Sequence, residues 1–306
     1  MTIFVIIRTI RGDFMSKFII LGHENPDNDS IVSGYLLEKI MKQLGYDVEF
    51  IIPDEISEEN IMLANYLGIN PTKYQKPLPE NPDDKYILVD HHERIVSGEI
   101  VAIIDHHPTE KEITCKHYQN ERACSTSCII ARNFTRRLSL DDIKAACFSA
   151  MVDTAAFHSN KTTVSDYNWV QYMCKKFNFN YNEMLTMSMC PTDISDLNKA
   201  SLNGLKKHNI ENHSVASSFL HLQNPKENID EINQMIEYLK TYIQEEGYDL
   251  FAFIVHDITN FKSTLYKIRE NETEIVNYDE YTSRGTRIIP DLTEELKTKQ
   301  KKKTTN

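Results

Sequence analysis

Three polar segments decide the predicted fold: GHENPDNDS (22–30), DHHER (90–94) and DHHP (105–108). Each follows an apolar run of four or five residues, such as YILV (86–89) before the second segment. Helical periodicity lies between the runs, most clearly at 30–43. Strands that alternate with helices predict βαβ units and a mostly parallel sheet. Because ligands of such sheets bind at the carboxyl ends of the strands, we expect the three segments to meet at one edge.

The composition excludes several classes of protein. The chain has 306 residues, of which 41% are hydrophobic, and a formal net charge of −11. No apolar run approaches the roughly 20 residues that span a bilayer. The negative charge argues against binding of duplex nucleic acid, but metal ions could still invert the local charge and admit an anionic substrate. The nine glycines are not clustered, which argues against a P-loop or a Rossmann fingerprint.

The cysteines and the two ends of the chain carry less information. None of the six cysteines forms a CxxC pair, so reduced thiols in a cytoplasmic protein are expected. Cys124 and Cys128 are four residues apart, but no second pair completes a zinc site. Residues 1–14 are interpreted as an upstream extension, with a short targeting segment as the alternative. The tail KTKQKKKTTN (297–306) is predicted to be solvated and disordered.

The pattern along the chain predicts two domains. A metal-binding catalytic domain covers 1–190, a polar linker 191–200, and a substrate-binding domain 201–306. The expected fold class is α/β, with a doubly wound, mostly parallel sheet in the N-terminal domain and a smaller α/β C-terminal domain. The elements expected in the second domain are a strand near 216–222, a long helix near 228–246 and a strand at 249–255.

The polar segments have the composition of a metal site. Carboxylates that lie close together repel each other unless cations or hydrogen bonds compensate. A single acid within the apolar helix SAMVDTAAF (149–157) is costly to bury without a partner. Each cluster alone could consist of ordinary loop, cap or helix-surface residues. Two DHH groups that both end apolar strands are harder to explain in that way, and imidazoles with carboxylates suit manganese, cobalt and zinc.

These segments resemble a known family. GHENPDNDS, LVDHHE, IDHHP and the helix with MVDT look like the four motifs of the DHH phosphoesterase superfamily. The nearest resemblance is to the manganese-dependent family II inorganic pyrophosphatases, and it runs from about residue 17 to about residue 293. EEGYDLFAFIVHDI (245–258) and SRGTRIIPDL (283–292) resemble parts of the C-terminal domain of that family.

The resemblance implies two divalent metal ions, manganese or cobalt, with magnesium as a companion of the substrate. Asp90 and His107 are the implied catalytic residues, and His107 would face the substrate and its leaving phosphate rather than a metal ion. The implied metal ligands are His23 and Asp27 for one ion, Asp29, His106 and Asp153 for the other, and Asp90 as the bridge.

The substrate-binding residues follow the family less closely. Arg284 would bind phosphate, and Lys206 is the best match for a second substrate-binding cation. The family has a lysine where this chain has Gly285, so Arg287 is a candidate for the missing charge, although arginine and lysine differ in reach and geometry. His158 also stands where pyrophosphatases have a lysine.

The implied reaction is hydrolysis of pyrophosphate to two phosphates by a hydroxide that two metal ions activate, in a cleft between the domains. An exopolyphosphatase or a nucleotide phosphodiesterase of the same superfamily is the alternative. A non-catalytic metal-binding regulator fits less well, because every ligand position is filled. The expected partner is a small anionic phosphate substrate, without nucleic acid or membrane, in a cytoplasmic protein that could form a homodimer.

Overall fold

The computed structural model describes residues 17–109, 112–159, 161–210 and 212–304. The chain divides into two compact units, with the boundary between Ser188 and Met189. Residues 1–14, interpreted above as an extension, lie outside the described residues. Among the helices of the described ranges, none is long and apolar enough to cross a membrane.

The first unit contains a five-stranded sheet in which every pairing is parallel. The strand order is β2-β1-β3-β4-β5, which confirms the predicted parallel α/β class. After β1 the chain moves outward to β2 and then returns past β1 to β3, so the order reverses between β1 and β3. Such a switch point opens a crevice at the carboxyl ends of the strands. The strands are β1 Phe18–Leu21, β2 Val48–Ile51, β3 Lys85–Val89, β4 Glu99–Asp105 and β5 Tyr118–Asn120.

Helices of the first unit cover one face of this sheet. Alternate strand residues such as Ile20 and Val89 pack there against helical side chains such as Ile31. The opposite residues, Leu21 among them, pack against side chains such as Leu78 from the connecting segments. The alternation is that of strands buried on both faces. The helices are α1 Asn28–Gln43, α2 Glu58–Tyr66, α3 Thr126–Phe134, α4 Leu140–Asp153, α5 Val164–Phe177 and α6 Tyr181–Ser188.

The loop after β1 ends where α1 begins. The side chain of Asp27 caps α1 by accepting a hydrogen bond of 3.0 Å from the backbone N–H of Ser30. Asp29 therefore lies in the first turn of α1 and is buried. Further along α1, Gly34 allows the helix to pack closely on the ring of Phe50 in β2. The polar loop is thus fixed by a helix that packs directly on the sheet.

The second unit contains a smaller, mixed sheet in the order β10-β9-β8-β7-β6. Its central strands β7 and β8 are parallel, and the other pairings are antiparallel. The long helix α8 packs on this sheet through residues such as Leu239. The elements are α7 Leu197–Ser201, β6 Lys206–Ile210, β7 His213–Leu222, α8 Ile229–Glu246, β8 Leu250–Asp257, β9 Lys262–Ile268, β10 Thr273–Tyr278 and α9 Ile289–Thr304.

Two segments that the sequence predicts to be irregular contain helix in the structure. The tail predicted to be disordered is helical as far as Thr304, where α9 ends. Lysine is a good helix former. Lys297 Nζ also lies 3.6 Å from Glu294 Oε1, and opposite charges three residues apart stabilise a helix. The segment 191–200, predicted as a linker, contains the start of α7, because Asp196 caps that helix through the N–H of Lys199.

The contact between Gly34 and Phe50 can be tested. A Cβ at position 34 would lie 2.2 Å from the Phe50 ring, so we expect Gly34→Ala to lower the free energy of unfolding by about 1 kcal/mol or more. The change would otherwise be favourable, since alanine exceeds glycine in helix propensity by about 1 kcal/mol. Urea denaturation measures the loss. Phe50→Leu and the double variant complete a double-mutant cycle. If Gly34→Ala lowers the free energy of unfolding as much in the Phe50→Leu background as in the wild type, the contact is contradicted.

Candidate metal centre

The carboxyl ends of three strands place the predicted ligands together. His23 follows β1, Asp90 follows β3 and His106 follows β4. The carboxylate of Asp90 is only 1% exposed and lies between the two imidazoles. The Nε2 atom of His23 is 3.6 Å from Asp90 Oδ2, and the Nε2 atom of His106 is 3.3 Å from Asp90 Oδ1. The two oxygens of one buried carboxylate therefore face two different histidines.

The first group of candidate ligands is His23, Asp27 and Asp90, whose ligand atoms all lie within 4.8 Å of one another. His23 Nε2 is 3.5 Å from Asp27 Oδ1. The other ring nitrogen, Nδ1, lies 2.7 Å from the carbonyl oxygen of Glu24. Because a carbonyl can only accept, Nδ1 carries the proton, and the neutral ring presents the Nε2 lone pair to the carboxylates.

The second group of candidate ligands is His107, Asp90 and His106, and it forms around His106. Its Nδ1 donates to the carbonyl oxygen of Ala123 at 3.0 Å, so its Nε2 lone pair faces Asp153 Oδ2 at 3.4 Å. Within the part of the chain that the structure describes, the buried atoms without a hydrogen-bond partner include His106 Nε2, Asp90 Oδ2 and Asp153 Oδ2. Buried polar atoms in native proteins nearly always have a partner. One imidazole and two carboxylates left in this way fit a divalent cation.

Asp29 lies at the margin of the second group. Its Oδ2 is 3.9 Å from His106 Nε2. Its oxygens already accept hydrogen bonds from the N–H groups of Thr126 and Ser127, at 2.6 and 3.0 Å, and from Ser149 Oγ at 2.8 Å. The carboxylate thus stabilises the first turn of α3, where the helix dipole favours negative charge. Ser33 Oγ also donates to Oδ1 at 3.4 Å, so three of the four hydrogen bonds fall on Oδ1, and Oδ2 keeps an acceptor site for a ligand role.

The adjacent histidines of the third segment differ in environment. The side chain of His106 is 2% exposed, whereas that of His107 is 35% exposed. His107 Nδ1 bonds to Asp105 Oδ1 at 2.9 Å, and this hydrogen bond is the main cause of the raised pKa of His107. Because Nδ1 carries that proton, it is not a ligand atom. The structure thus separates a buried imidazole with a free lone pair from a more exposed imidazole that holds a proton.

Asp105 was given no role by the sequence reasoning, although it begins the second DHH group. It is fully buried, and a second imidazole bonds to it: His92 Nδ1 lies 2.6 Å from Asp105 Oδ2. Burial alone would raise the pKa of Asp105, but the hydrogen bonds from His107 and His92 hold it well below its usual range. Asp105 is therefore a charged residue that orients two histidines.

Lys161 was missed as well. Its Nζ lies 2.7 Å from Asp153 Oδ1, on the other side of the carboxylate from His106. Burial and the neighbouring Asp29 raise the pKa of Asp153, and Lys161 opposes them. The only signal in the sequence was a lysine shortly after the fourth motif. His158, where the resemblance led us to expect a lysine, is exposed.

In the second unit, two of the three predicted substrate residues lie close together. Arg284 donates to the carbonyl oxygens of Gly204 and Ser217, at 2.5 and 3.5 Å, and its guanidinium lies 5.2 Å from the centre of the Phe219 ring. Lys206 pairs with Ser217 in the sheet and is exposed.

Arg287, the third predicted substrate residue, interacts with a different part of the chain. Its Nε atom forms an ion pair of 2.8 Å with Asp291 Oδ2, one helical turn further along the chain. The positive charge that was proposed to compensate for Gly285 is therefore partly neutralised by a neighbour.

Comparisons with known proteins agree with the four motifs. Residues 17–156 match the model of the DHH family, N-terminal domain, which confirms the superfamily resemblance. A protein of Lactobacillus helveticus (strain DPC 4571), named probable manganese-dependent inorganic pyrophosphatase, is 25% identical over 92% of this chain and 99% of its own length. A protein of the same name from Streptococcus pyogenes serotype M49 (strain NZ131) is 23% identical with the same coverage.

Two solved structures share the fold. A candidate family II inorganic pyrophosphatase of Methanococcus jannaschii superposes with a TM-score of 0.52, at 22% identity, over 90% of this chain and 98% of the other. An exopolyphosphatase-related protein of Bacteroides fragilis gives a TM-score of 0.51, at 16% identity, over 97% and 98% of the two chains. At these identities the likeness concerns the fold alone.

The buried carboxylate of Asp90 predicts a link between metal binding and stability. In chelator, Asp90→Asn should raise the free energy of unfolding by about 1 kcal/mol or more, because it removes a buried charge next to Asp29 and Asp153. Manganese at 100 times its dissociation constant should stabilise the wild type by about 2.7 kcal/mol and the variant much less. Thermal unfolding with and without manganese measures both effects. Asp83→Asn, at an exposed position, is the control. If manganese stabilises Asp90→Asn as much as the wild type, the assignment of Asp90 as a metal ligand is contradicted.

Proposed function

We propose that this chain, whose residues 17–156 carry a DHH-family N-terminal domain, is a metal-dependent phosphoanhydride hydrolase that cleaves pyrophosphate into two phosphates. The observation that carries the proposal is the set of buried, unpartnered atoms of His106, Asp90 and Asp153 beside the group of His23 and Asp27. The names of relatives that align over 92% of the chain support pyrophosphate as the substrate.

Two divalent cations at such a site supply activation of water at neutral pH and neutralisation of charge on phosphate oxygens. The mixed nitrogen and oxygen ligands favour manganese or cobalt over magnesium alone. Asp90 would serve both ions, since each of its oxygens faces a different histidine. The proposed ligands are His23 and Asp27 with Asp90 for one ion, and Asp29, His106 and Asp153 with Asp90 for the other.

His107 is proposed as the proton donor to the leaving phosphate. Its Nδ1 proton is held by Asp105, and that hydrogen bond favours the doubly protonated ring. A charged imidazole can give its Nε2 proton to the oxygen that leaves, and general acid catalysis of this kind contributes about 10²–10⁴-fold. Asp105 and His92 act through His107 as positioning residues.

The second unit contributes phosphate-binding cations in this proposal. Arg284 is preferred, because two carbonyl oxygens and the Phe219 ring fix its guanidinium in place. Lys206 is exposed at the start of β6 and adds a second charge. Arg287 is the weaker candidate, because it is paired with Asp291.

An exopolyphosphatase is the second candidate, and one observation favours it. A Cβ built at Gly285 would meet no atom within 4 Å, so the position where the related family has a lysine provides space and no charge. A less crowded position of this kind suits a longer phosphate chain. The absence of nucleic-acid binding, the cytoplasmic location and a homodimer stay predictions.

A substrate panel tests the proposed reaction. We expect protein treated with chelator to be inactive and manganese to restore hydrolysis, with pyrophosphate preferred over tripolyphosphate, long polyphosphate and nucleotides. Phosphate release measured on each substrate gives the ranking, and Asp90→Ala protein prepared in parallel excludes contaminating phosphatases. Full activity in excess chelator would exclude the metal-dependent reaction. Cleavage of long chains without cleavage of pyrophosphate would leave the exopolyphosphatase as the function.

The contrast between the two adjacent histidines gives a matched pair of variants. His107→Gln should retain nearly full manganese content and lose about 10²-fold in turnover, because it removes the proton donor but no ligand. His106→Gln should lose an ion, because its Nε2 is the unpartnered buried atom. Metal analysis of the purified proteins together with steady-state kinetics separates the two roles. The opposite result for metal content would reverse the assignment.

A further inference from the structure

A cavity of about 360 Å³ opens beside the candidate metal centre within the first unit. Its volume lies at the lower end of the range of about 300–1,000 Å³ that is typical of small-molecule pockets. The residues that line it are His106, His107, Pro108, Asn120, Arg122, Ala123 and Lys161. The cavity therefore shares two histidines with the metal centre but includes residues that none of the roles above uses.

The lining of this cavity is positively charged in an otherwise acidic chain. Arg122 and Lys161 contribute two cations, and none of the described lining residues is a carboxylate. The net charge of the whole chain is −11. Lys161 shares its charge with Asp153, but an anion in the cavity would meet both Lys161 and Arg122, which can bind it with charge-assisted hydrogen bonds.

Lys161 is held in a fixed position at the cavity. Its Nζ donates one hydrogen bond of 2.7 Å to Asp153 Oδ1, and an ammonium group has three hydrogens to donate. The bond fixes the long side chain before a ligand arrives, which reduces the entropy lost on binding. Asn120 plays a different part, because its amide donates to the carbonyl oxygen of His107 and to the hydroxyl of Tyr118. Asn120 therefore positions the loop of His107.

The chemistry of the lining indicates which kind of phosphate compound fits. The described lining residues include no Phe, Tyr or Trp, so histidine and arginine are the only side chains of this lining on which a nucleobase could stack. Two cations beside the partly exposed His107 favour a compound that carries further phosphate groups rather than uncharged substituents. An inorganic condensed phosphate meets that condition, whereas a nucleotide places a sugar and a base there.

We propose that Arg122 and Lys161 form a phosphate-binding subsite of the first unit, next to His107, and that this subsite selects inorganic condensed phosphates over nucleotides. The inference rests on the proposed function and adds specificity-determining residues to it. The subsite holds a phosphate group of the substrate while His107 acts on the leaving oxygen.

The binding test uses full-length protein with manganese and methylenediphosphonate, whose bridging carbon prevents hydrolysis. Isothermal titration calorimetry should give a dissociation constant about 10-fold or more higher for Arg122→Met and for Lys161→Met than for the wild type. Lys161→Arg should recover most of the affinity, because it keeps the charge. Lys175→Met removes a charge from an exposed position of α5 outside the cavity and should bind as the wild type does.

A second arm tests the choice of substrate. The wild type should bind methylenediphosphonate more tightly than the α,β-methylene analogue of ADP, and Arg122→Met should reduce that preference. Manganese content is measured for each variant, because Lys161 contacts the proposed ligand Asp153. If Lys161→Met loses manganese, Arg122→Met decides the question, because Arg122 is not in the proposed ligand set.

The outcomes separate this inference from the proposed function. If the wild type hydrolyses pyrophosphate and both methionine variants bind the analogue as the wild type does, the subsite is overturned and the proposed function stands. If the wild type binds the analogue through Arg122 and Lys161 but releases no phosphate from pyrophosphate, the subsite stands and the proposed function fails. A tighter complex with the ADP analogue overturns the selectivity.

Discussion

The buried carboxylate of Asp90 is the constraint on which the first unit depends. It is 1% exposed, and Asp27, Asp29 and Asp153 all contribute unfavourably to its charge. Burying so many like charges is costly unless cations or hydrogen bonds compensate. Part of the compensation is built into the fold, since Asp29 accepts the first N–H groups of α3. Lys161 also pairs with Asp153, but Asp90 Oδ2 and Asp153 Oδ2 keep no hydrogen-bond partner among the described residues, and these atoms point to cations rather than to a purely structural network.

The imidazoles around this carboxylate are oriented by backbone carbonyl groups. The Nδ1 atoms of His23, His106 and His91 lie 2.7–3.0 Å from the carbonyl oxygens of Glu24, Ala123 and Val89. In each case Nδ1 must donate, so Nε2 of the neutral ring keeps its lone pair. Histidine ligands of metal ions usually donate their second N–H in this way, which fixes the ring and raises its basicity. His107 donates to the carboxylate of Asp105, a partner that metal-ligating histidines also use, so the contrast between the two rings rests on exposure: the ring of His107 is more exposed than that of His106, which supports a proton-donor role for His107 and a ligand role for His106.

The parts of this site that the sequence predicts are those that depend on strand ends. Apolar runs that end in His23, Asp90 and His106 are visible in the sequence, and parallel topology brings them together. Lys161 could not be found in this way, because its contact with Asp153 requires the turn that follows α4. In the second unit, β10 was missed because its residues are mostly exposed and show no apolar run. The ion pair of Arg287 with Asp291 could not be predicted either, because composition does not reveal which charged residues are in contact.

Backbone strain is concentrated at the candidate metal centre. Asp90 has a φ of +66°, and residues 155–157, which follow Asp153, have φ values of +47°, +54° and +68°. Such conformations cost about 1–3 kcal/mol each in non-glycine residues and persist only where surrounding contacts enforce them. The N–H of Asp90 donates to Ile104 in the neighbouring strand, and Thr154 Oγ1 accepts from Phe157 within the turn. Folding of the sheet and of α4 therefore provides the free energy that orders the carboxylates. A cation that binds to ligands already held in position by the fold loses little free energy to their ordering.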